Sequence, residues 1–160
     1  MTTAPEQCPP AAPSSPEGAA VRRVREAVRR LSRATAAKHV DGALDCFTER
    51  AVVLGDAGGE EASGREELRA FLEEVFEEPW SLAWEVLAAQ ARGRTGAVWF
   101  AAEVDVLQAY PEGLVERVPA RLVGVLEQGD AGVWRFDLLT LSQPVPAPPE
   151  GRAEGGSLLG

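Results

Sequence analysis

The sequence predicts an α+β fold in which three helices precede and cover a curved antiparallel sheet. Three strand-like runs fill the last third of the chain, over residues 95–109, 114–127 and 132–142, and only the turn sequences YPEG and QGDA join them. Short connections of this kind make consecutive strands antiparallel neighbours. A curved sheet with helices on one face encloses a conical pocket, which is a common site for small apolar ligands.

Composition indicates one domain with unstructured ends. The chain has 160 residues, of which 45% are hydrophobic and 26% charged, as is usual for a single globular domain. Residues 1–19 mix proline with Ala, Ser and Glu and have no apolar period, so we expect a disordered tail. The Pro/Gly-rich residues 146–160 are expected to be disordered as well. The folded domain is therefore predicted over residues 20–145.

Helical periodicity accounts for the first half of the chain. An amphipathic helix is predicted over residues 20–38, and Asp41 is the expected N-cap of a short second helix. Ser63 precedes a third helix, with Glu66 placed to complete a capping box, and Pro79 marks its end. The apolar stripe of the first helix consists of Val21, Val24, Val28, Leu31 and Thr35.

Alternation within the strands separates two faces of the sheet. A short strand is predicted over residues 51–54 and a first long strand over 80–91. One face is nearly free of charge and must carry the helices. In the last strand, Trp134, Phe136 and Leu138 are predicted to lie on this inner face. The other face pairs acids with arginines across strands, which suits a wet surface or a subunit interface.

The net charge of -9 conceals a basic first helix. Residues 22–38 contain seven basic side chains and one acidic side chain. Such a helix could bind nucleic acid, but no aromatic residues interleave with the arginines and the acidic body would repel phosphates. We expect no nucleic-acid partner. A solvated face, or one lying against an acidic patch of the same or a second subunit, is the alternative.

The chain shows no signal for secretion or membrane insertion. Its start lacks a basic segment followed by an apolar core, and no run approaches the length of a membrane span. Cys8 and Cys46 are the only cysteines, and a disulfide between them would tether a disordered end for little gain. We therefore expect reduced thiols, a cytoplasmic location and no membrane partner.

The order of elements resembles the NTF2-like superfamily, and in particular its SnoaL-like, ketosteroid-isomerase-like domain family. The segments that carry the resemblance are HVDGALDCFTERAVV, ASGREELRAFLEEVF, GAVWFAAEV and WRFDLLTLSQP. The resemblance covers about residues 20–145. It implies a cone-shaped fold with a pocket between helices and sheet, and often a homodimer through the outer sheet face. Thr140 stands where many relatives have a histidine.

Few residues could carry catalysis. The resemblance places the catalytic tyrosine of the isomerases near Arg33 and their base near Gly55, so Asp56 is the one carboxylate close to the base position. An isomerase mechanism is not supported, because arginine does not replace a phenol donor in an apolar cavity. Asp56 is either this base or, flanked by glycines, a turn-forming residue.

Metal and cofactor chemistry has no clear place in the sequence. His39 is the only histidine, which argues against a metal centre with several histidines and against a Ser-His-Asp triad. Gly55, Gly58 and Gly59 are not followed by the Gly-Lys-Ser/Thr of a phosphate loop. We expect neither a metal nor a cofactor.

Aromatic and apolar side chains on the helix-facing side form the predicted ligand pocket, although ordinary core packing predicts the same pattern. Trp99, on the opposite face with Glu103, suits a dimer interface. The predicted pocket residues are Trp80, Trp84, Phe100, Tyr110, Leu122, Trp134 and Phe136.

Three hypotheses follow. The first is a dimeric protein whose pocket binds a small apolar molecule. The second is an isomerase-like or cyclase-like enzyme that uses Asp56, with His39 or Glu85 as a partner. The third is a non-catalytic interaction module that presents the arginine-rich helix, including Arg29 and Arg30, to an acidic partner.

Overall fold

Three α-helices and six strands make up residues 15–55 and 59–143, the part of the chain that this computed structural model describes. The helices are α1 (Pro16–Ala36), α2 (Val40–Leu44) and α3 (Gly64–Glu77). The strands are β1 (Phe47–Leu54), β2 (Glu61–Ser63), β3 (Ser81–Arg94), β4 (Ala97–Ala109), β5 (Val115–Gln128) and β6 (Trp134–Ser142). A 3₁₀ turn, Asp130–Gly132, connects β5 to β6.

The strands form one curved sheet in the order β2-β1-β6-β5-β4-β3. The long strands β3 to β6 pair antiparallel as a meander, which confirms the predicted α+β class and helix-covered sheet. β1 extends the sheet beyond β6 in parallel, with Val52–Leu54 beside Leu138–Thr140. The three-residue strand β2, which the sequence did not predict, pairs with the end of β1.

The first helix begins four residues before its predicted start. Ser15 caps it, since its hydroxyl accepts a hydrogen bond of 3.0 Å from the backbone N–H of Gly18. Pro16 occupies the first helical position, where its missing N–H costs nothing. The amphipathic period alone could not reveal this extra turn, because the start is set by the cap.

The caps of the other two helices differ from the prediction in detail. His39, not Asp41, is the N-cap of α2, and Asp41 in the first turn binds Arg69 of α3 at 2.8 Å instead. Ser63 is confirmed as the N-cap of α3. Its backbone N–H donates to Glu67 at 2.8 Å, so the reciprocal capping carboxylate comes one residue later than expected.

Two β-bulges change which residues face the helices. Each inserts an extra residue, one between Val86 and Ala88 in β3 and one at Asp137 in β6, and each reverses the alternation beyond it. The prediction that Leu138 lies on the inner face is therefore wrong. Leu139 takes that position and is 6% exposed.

Helix α1 covers the free edge of the sheet. β3 is the last strand, so its outward backbone groups need partners from outside the sheet. Side chains of α1 supply them. The hydrogen bonds are Trp84 N to Ser32 Oγ at 2.8 Å, Thr35 Oγ1 to Leu82 O at 2.8 Å and Arg25 Nη1 to Val86 O at 3.1 Å.

The core lies between the helices and the inner face of the sheet. On β4 every second residue is buried, as predicted, from Val98 through Phe100 to Val106. Leu68 and Leu72 of α3 close the core from the β1 side. No helix in the described ranges is long and apolar enough to cross a membrane.

Candidate functional site

One end of the inner face, here called the Phe136 end, is filled by aromatic side chains. Phe47, Phe100 and Phe136 are 3%, 4% and 1% exposed. The ring of Phe136 lies 5.6 Å from that of Phe47 and 6.1 Å from that of Phe100, which is the range of favourable ring contacts. The structure thus brings the predicted pocket residues Phe100 and Phe136 together, but within the packed core.

The opposite end of the same face, here called the Trp84 end, is less completely covered. The register aligns Trp84 with Val106 on β4 and Val106 with Val118 on β5. Trp84 and Val118 pack against the core yet stay half-buried. Leu82, the preceding inward residue of β3, is half-buried as well. Leu141, which pairs with Leu122, and Phe71 and Phe76 on α3, which packs against β1, are half-buried apolar residues elsewhere around the core.

The indole of Trp84 holds an unsatisfied donor. Its Nε1 has less than 1 Å² of exposed surface and no hydrogen-bond partner among the residues that the structure describes. A buried donor in this state costs about 1–3 kcal/mol relative to a paired one. The Trp84 backbone cannot shift easily to relieve it, since Ser32 holds its N–H. An acceptor placed beside Nε1 would remove that cost.

A polar rim borders the Trp84 end. Tyr110 follows β4 directly, and its hydroxyl lies 3.3 Å from Glu116 Oε2 and 3.4 Å from Gln108 Oε1. Partial burial and the neighbouring Glu116 carboxylate raise the pKa of Tyr110. The phenol therefore stays protonated at neutral pH and acts as a donor, which places this predicted pocket residue at the rim.

The remaining predicted pocket residues lie in three different surroundings. Leu122 is 2% exposed and belongs to the core. Trp134, at the start of β6, is half-buried with the Arg23 guanidinium 4.5 Å from its ring centroid. Trp80 is half-buried and immediately precedes β3. Asp56, the predicted catalytic carboxylate, lies outside the described residues.

The other titratable candidates do not form a reactive group together. Glu85 belongs to the outer face, where it binds Arg117 at 2.8 Å, so β3 separates it from the inner face. His39 is exposed at the start of α2. Burial raises the pKa of the Cys46 thiol, which keeps it protonated and unreactive. Among the described residues, no three His, Cys, Asp or Glu side chains cluster as metal ligands.

Several arginines of the basic helix contact the chain itself. Arg30 binds the Asp45 carboxylate at 2.7 Å, Arg23 lies over Trp134, and Arg25 donates to the backbone of β3. These contacts support the interpretation that this helix face lies partly against its own subunit. Charge reversal of Arg30 would therefore disturb the fold before it tested an acidic partner.

The outer face of the sheet has an apolar centre with charges around it. Trp99 and Val123 are each 42% exposed. Arg117 donates to Asp105 at 2.7 Å as well as to Glu85, and these hydrogen bonds raise the pKa of the guanidinium. The predicted pairing of acids with arginines across strands is seen here.

An open groove of about 990 Å³ is lined by the start of α1 and by residues of β3, β4, β5 and β6 from both faces of the sheet. All of the predicted pocket residues lie in the described ranges, and of these Phe100 alone borders the groove. Other residues along it include Gly18, Val21, Arg92, Trp99, Val123 and Leu138. The groove is therefore a separate region from the Trp84 end.

Sequence reasoning missed part of the Trp84 end for identifiable reasons. Leu82 and Val118 share the inner face with Trp84 by simple alternation, so they could have been included.

Solved structures of several bacterial proteins share the fold. A protein from Catenulispora acidiphila in complex with S-DNPA is 20% identical, with a TM-score of 0.69 over 79% of this chain and 95% of that one. A candidate scytalone dehydratase from Novosphingobium aromaticivorans is 18% identical, with a TM-score of 0.68 over 84% and 95%. ActVI-ORFA from Streptomyces coelicolor is 14% identical, with a TM-score of 0.67 over 77% and 96%. At these identities the similarity shows the fold alone.

A comparison with proteins of curated function finds no significant match. The family comparison does find one: the model of the SnoaL-like domain matches residues 28–135, which is more than half of the chain and runs from within α1 to the start of β6. The resemblance predicted from the order of elements is thereby confirmed, and the chain belongs to the SnoaL-like domain family.

Proposed function

We propose that this protein binds a small, largely apolar organic molecule at the Trp84 end of the inner face. The observation that carries the proposal is the group of apolar side chains there that the chain's own packing leaves half-buried, namely Leu82, Trp84 and Val118. Each would lose further exposed apolar area to a ligand, at about 25 cal/mol for every Å² covered. Converging apolar side chains with a few polar groups are typical of ligand sites.

The Phe136 end is a poor alternative for such a ligand. The rings of Phe47, Phe100 and Phe136 there are already buried to within a few per cent, so a ligand would have to displace them. Displacing close-packed core side chains costs several kcal/mol. The fold supports a small-molecule site in a further way, because the Catenulispora acidiphila protein of similar structure was solved in complex with S-DNPA.

No reaction is assigned to the site. An enzymatic role for Asp56 stays a hypothesis, and Glu85 is not available to assist it because it binds Arg117 on the outer face. His39 is exposed at the α2 cap. Tyr110 and Glu116 at the rim are the titratable groups paired nearest the site, and their contact of 3.3 Å does not by itself assign a reaction.

The binding proposal can be tested by filling the site. Val118→Phe adds bulk to the half-buried inner face of β5, whereas Val115→Phe makes the same change where the side chain is 57% exposed. With 2-ethylnaphthalene as probe and chemical-shift titration as readout, we expect Val118→Phe to weaken binding at least about tenfold, which is about 1.4 kcal/mol. Val115→Phe should bind as the unmodified protein does.

The proposal fails if the unmodified protein does not bind the probe up to its solubility limit. It also fails if Val115→Phe and Val118→Phe weaken binding equally, since the probe would then be attached to the outer surface. Unfolding curves of both variants, measured in urea, separate a blocked site from a damaged fold.

We also propose that two copies of the chain pair through their outer sheet faces. Trp99 and Val123 form an exposed apolar centre, and acids and arginines such as Glu103 and Arg121 surround it. A two-fold interface brings the same patch of each subunit together, so a patch must complement itself. A mixed border of both charge signs meets that requirement even though the whole chain carries a net charge of -9.

Sedimentation measurements on single variants test the dimer. Trp99→Asp places a charge at the apolar centre and should give a monomer, while Leu114→Asp changes a residue that is 53% exposed in the β4–β5 turn and should leave the dimer intact. A monomeric unmodified protein at 100 μM or so would contradict the proposal. So would a Trp99→Asp variant that remains dimeric.

A further inference from the structure

We infer that the ligand of the Trp84 end is an uncharged molecule with a hydrogen-bond acceptor, such as a ketone, ester or ether oxygen, that accepts from the indole Nε1–H of Trp84. This inference rests on the binding function proposed above and specifies the ligand's chemistry. Its starting point is the buried Nε1, which has no partner in the described part of the chain.

The surroundings of Trp84 explain why the protein itself supplies no acceptor. Along the inner face the neighbouring strand positions are Val86, Val104 and Val106, whose side chains cannot accept hydrogen bonds. The nearby hydroxyls of α1 lie at the β3 backbone instead, where Ser32 Oγ accepts from Trp84 N and Thr35 Oγ1 donates to Leu82 O, and neither bonds the indole. The carbonyls of β4 and β5 are directed along the sheet, where they serve the strand ladder.

The charge distribution favours a neutral ligand. From Val98 to Val106 and from Val118 to Leu126, no inward-facing side chain of β4 or β5 is charged. An ionised ligand would lose its water there without gaining a counter-charge. The exposed Glu116 carboxylate at the rim, beside Tyr110, further disfavours an anion. A neutral acceptor needs only the one donor that the site has to spare.

Trp84 is also positioned to act as a discriminating group. Its backbone is fixed to α1 through Ser32, and its side chain packs against the core, so the direction of the N–H is determined by the fold. A site that buries an unpaired donor selects against molecules that cannot accept from it. Trp84 would therefore determine which molecules bind, while the apolar side chains around it set how tightly they bind.

A pair of nearly isosteric probes tests this inference. 2-Acetylnaphthalene carries a ketone oxygen where 2-ethylnaphthalene has only hydrogens, and both are uncharged. We expect the ratio of their affinities, ketone over hydrocarbon, to fall at least about fivefold in Trp84→Phe, because the ketone then loses its donor while the hydrocarbon loses nothing specific. The Trp84 indole proton, assigned by its absence from that variant, should shift downfield with the ketone only.

Trp134→Phe is the matched control, since it removes a half-buried indole at the other end of the inner face. It should leave the affinity ratio unchanged. If both probes bind and the ratio is the same in the unmodified protein and in Trp84→Phe, the inference is overturned while the binding function stands. If neither probe binds, the binding function itself fails, and the inference with it.

Discussion

The two ends of the inner face use the same strands for different purposes. At the Phe136 end the rings of Phe47, Phe100 and Phe136 are at most 4% exposed and pack on one another. At the Trp84 end Leu82, Trp84 and Val118 stay half-buried, and the indole donor of Trp84 has no partner among the described residues. The difference teaches that one continuous sheet can pack its inner face closely at one end and leave side chains half-buried at the other.

The hydrogen bonds of the polar groups also differ between the Phe136 end and the Trp84 end. At the Phe136 end the backbone N–H of Phe136 donates to Cys46 O at 2.8 Å, and Thr48 donates to Asp137 at 2.7 Å. Arg30 and Arg135 both bind Asp45, which ties α1 and β6 to the segment between α2 and β1. Hydrogen bonds at this end thus reinforce the packing. At the other end they fix the edge of β3 and leave the indole without an acceptor.

Truncating one fully buried and one half-buried phenylalanine should give the largest contrast. Phe136→Ala removes a side chain that is 1% exposed, and we expect the free energy of unfolding to fall by about 3–5 kcal/mol. Phe71→Ala makes the same change at a half-buried position of α3 and should cost only about 1–2 kcal/mol. Urea unfolding of both variants checks this. Equal losses would mean that the half-buried position is packed as closely as the Phe136 end.

The sequence predicted the fold well because its strongest signals are periodic and local. Alternation in β4 assigned the buried face from Val98 to Val106 without error, and the short turns fixed the antiparallel meander. The same reasoning failed in β6 because this strand contains a bulge. A single extra residue at Asp137 places Leu138 on the outer face and not on the predicted inner face. No local feature of the sequence indicates this bulge.

The candidate site was less predictable than the fold, and for a different reason. Inner-face aromatic residues were chosen as pocket residues, yet the sequence could not show which of them the core would bury. Phe100, Leu122 and Phe136 are core residues, whereas Trp84 is half-buried with an unpaired donor. Exposure depends on how far the helices stand from each part of the sheet, and that distance is a tertiary property. Asp56 stays a prediction.

The hydrogen bonds between α1 and the edge strand β3 offer a second test of the comparison between the two ends. Thr35→Val keeps the shape of a side chain that is 2% exposed but removes the hydroxyl that donates to Leu82 O, so a buried carbonyl loses a partner. We expect a loss of about 1–2 kcal/mol. Thr48→Val removes a hydroxyl from a half-buried site at the Phe136 end and should cost less.

Hydrogen exchange distinguishes a local from a global effect of Thr35→Val. Because Thr35 holds the edge strand, exchange should accelerate most at the backbone amides of Leu82 and Trp84. Amides of β6 at the Phe136 end, including Phe136, should accelerate only as far as global stability falls. Uniform acceleration across both regions would show that the two ends unfold as one unit and would remove the basis for treating them separately.

The ion pairs around Asp45 should have the smallest effect, and they mark how little the Phe136 end depends on charge. Asp45→Ala releases Arg30 and Arg135, but the carboxylate is 57% exposed and both arginines also donate to the Asp45 carbonyl, which remains. We therefore expect a loss of about 0.5–1 kcal/mol that shrinks at high salt. Asp41→Ala, which frees the single arginine Arg69, should cost less still. Arg69 lowers the pKa of Asp41, so any stability from that pair is present above the carboxyl's ordinary value of 3.8 and is lost as the pH falls below it. A loss from Asp45→Ala that approached that of Phe136→Ala would mean that the charged cluster, and not the aromatic packing, holds this end of the molecule together.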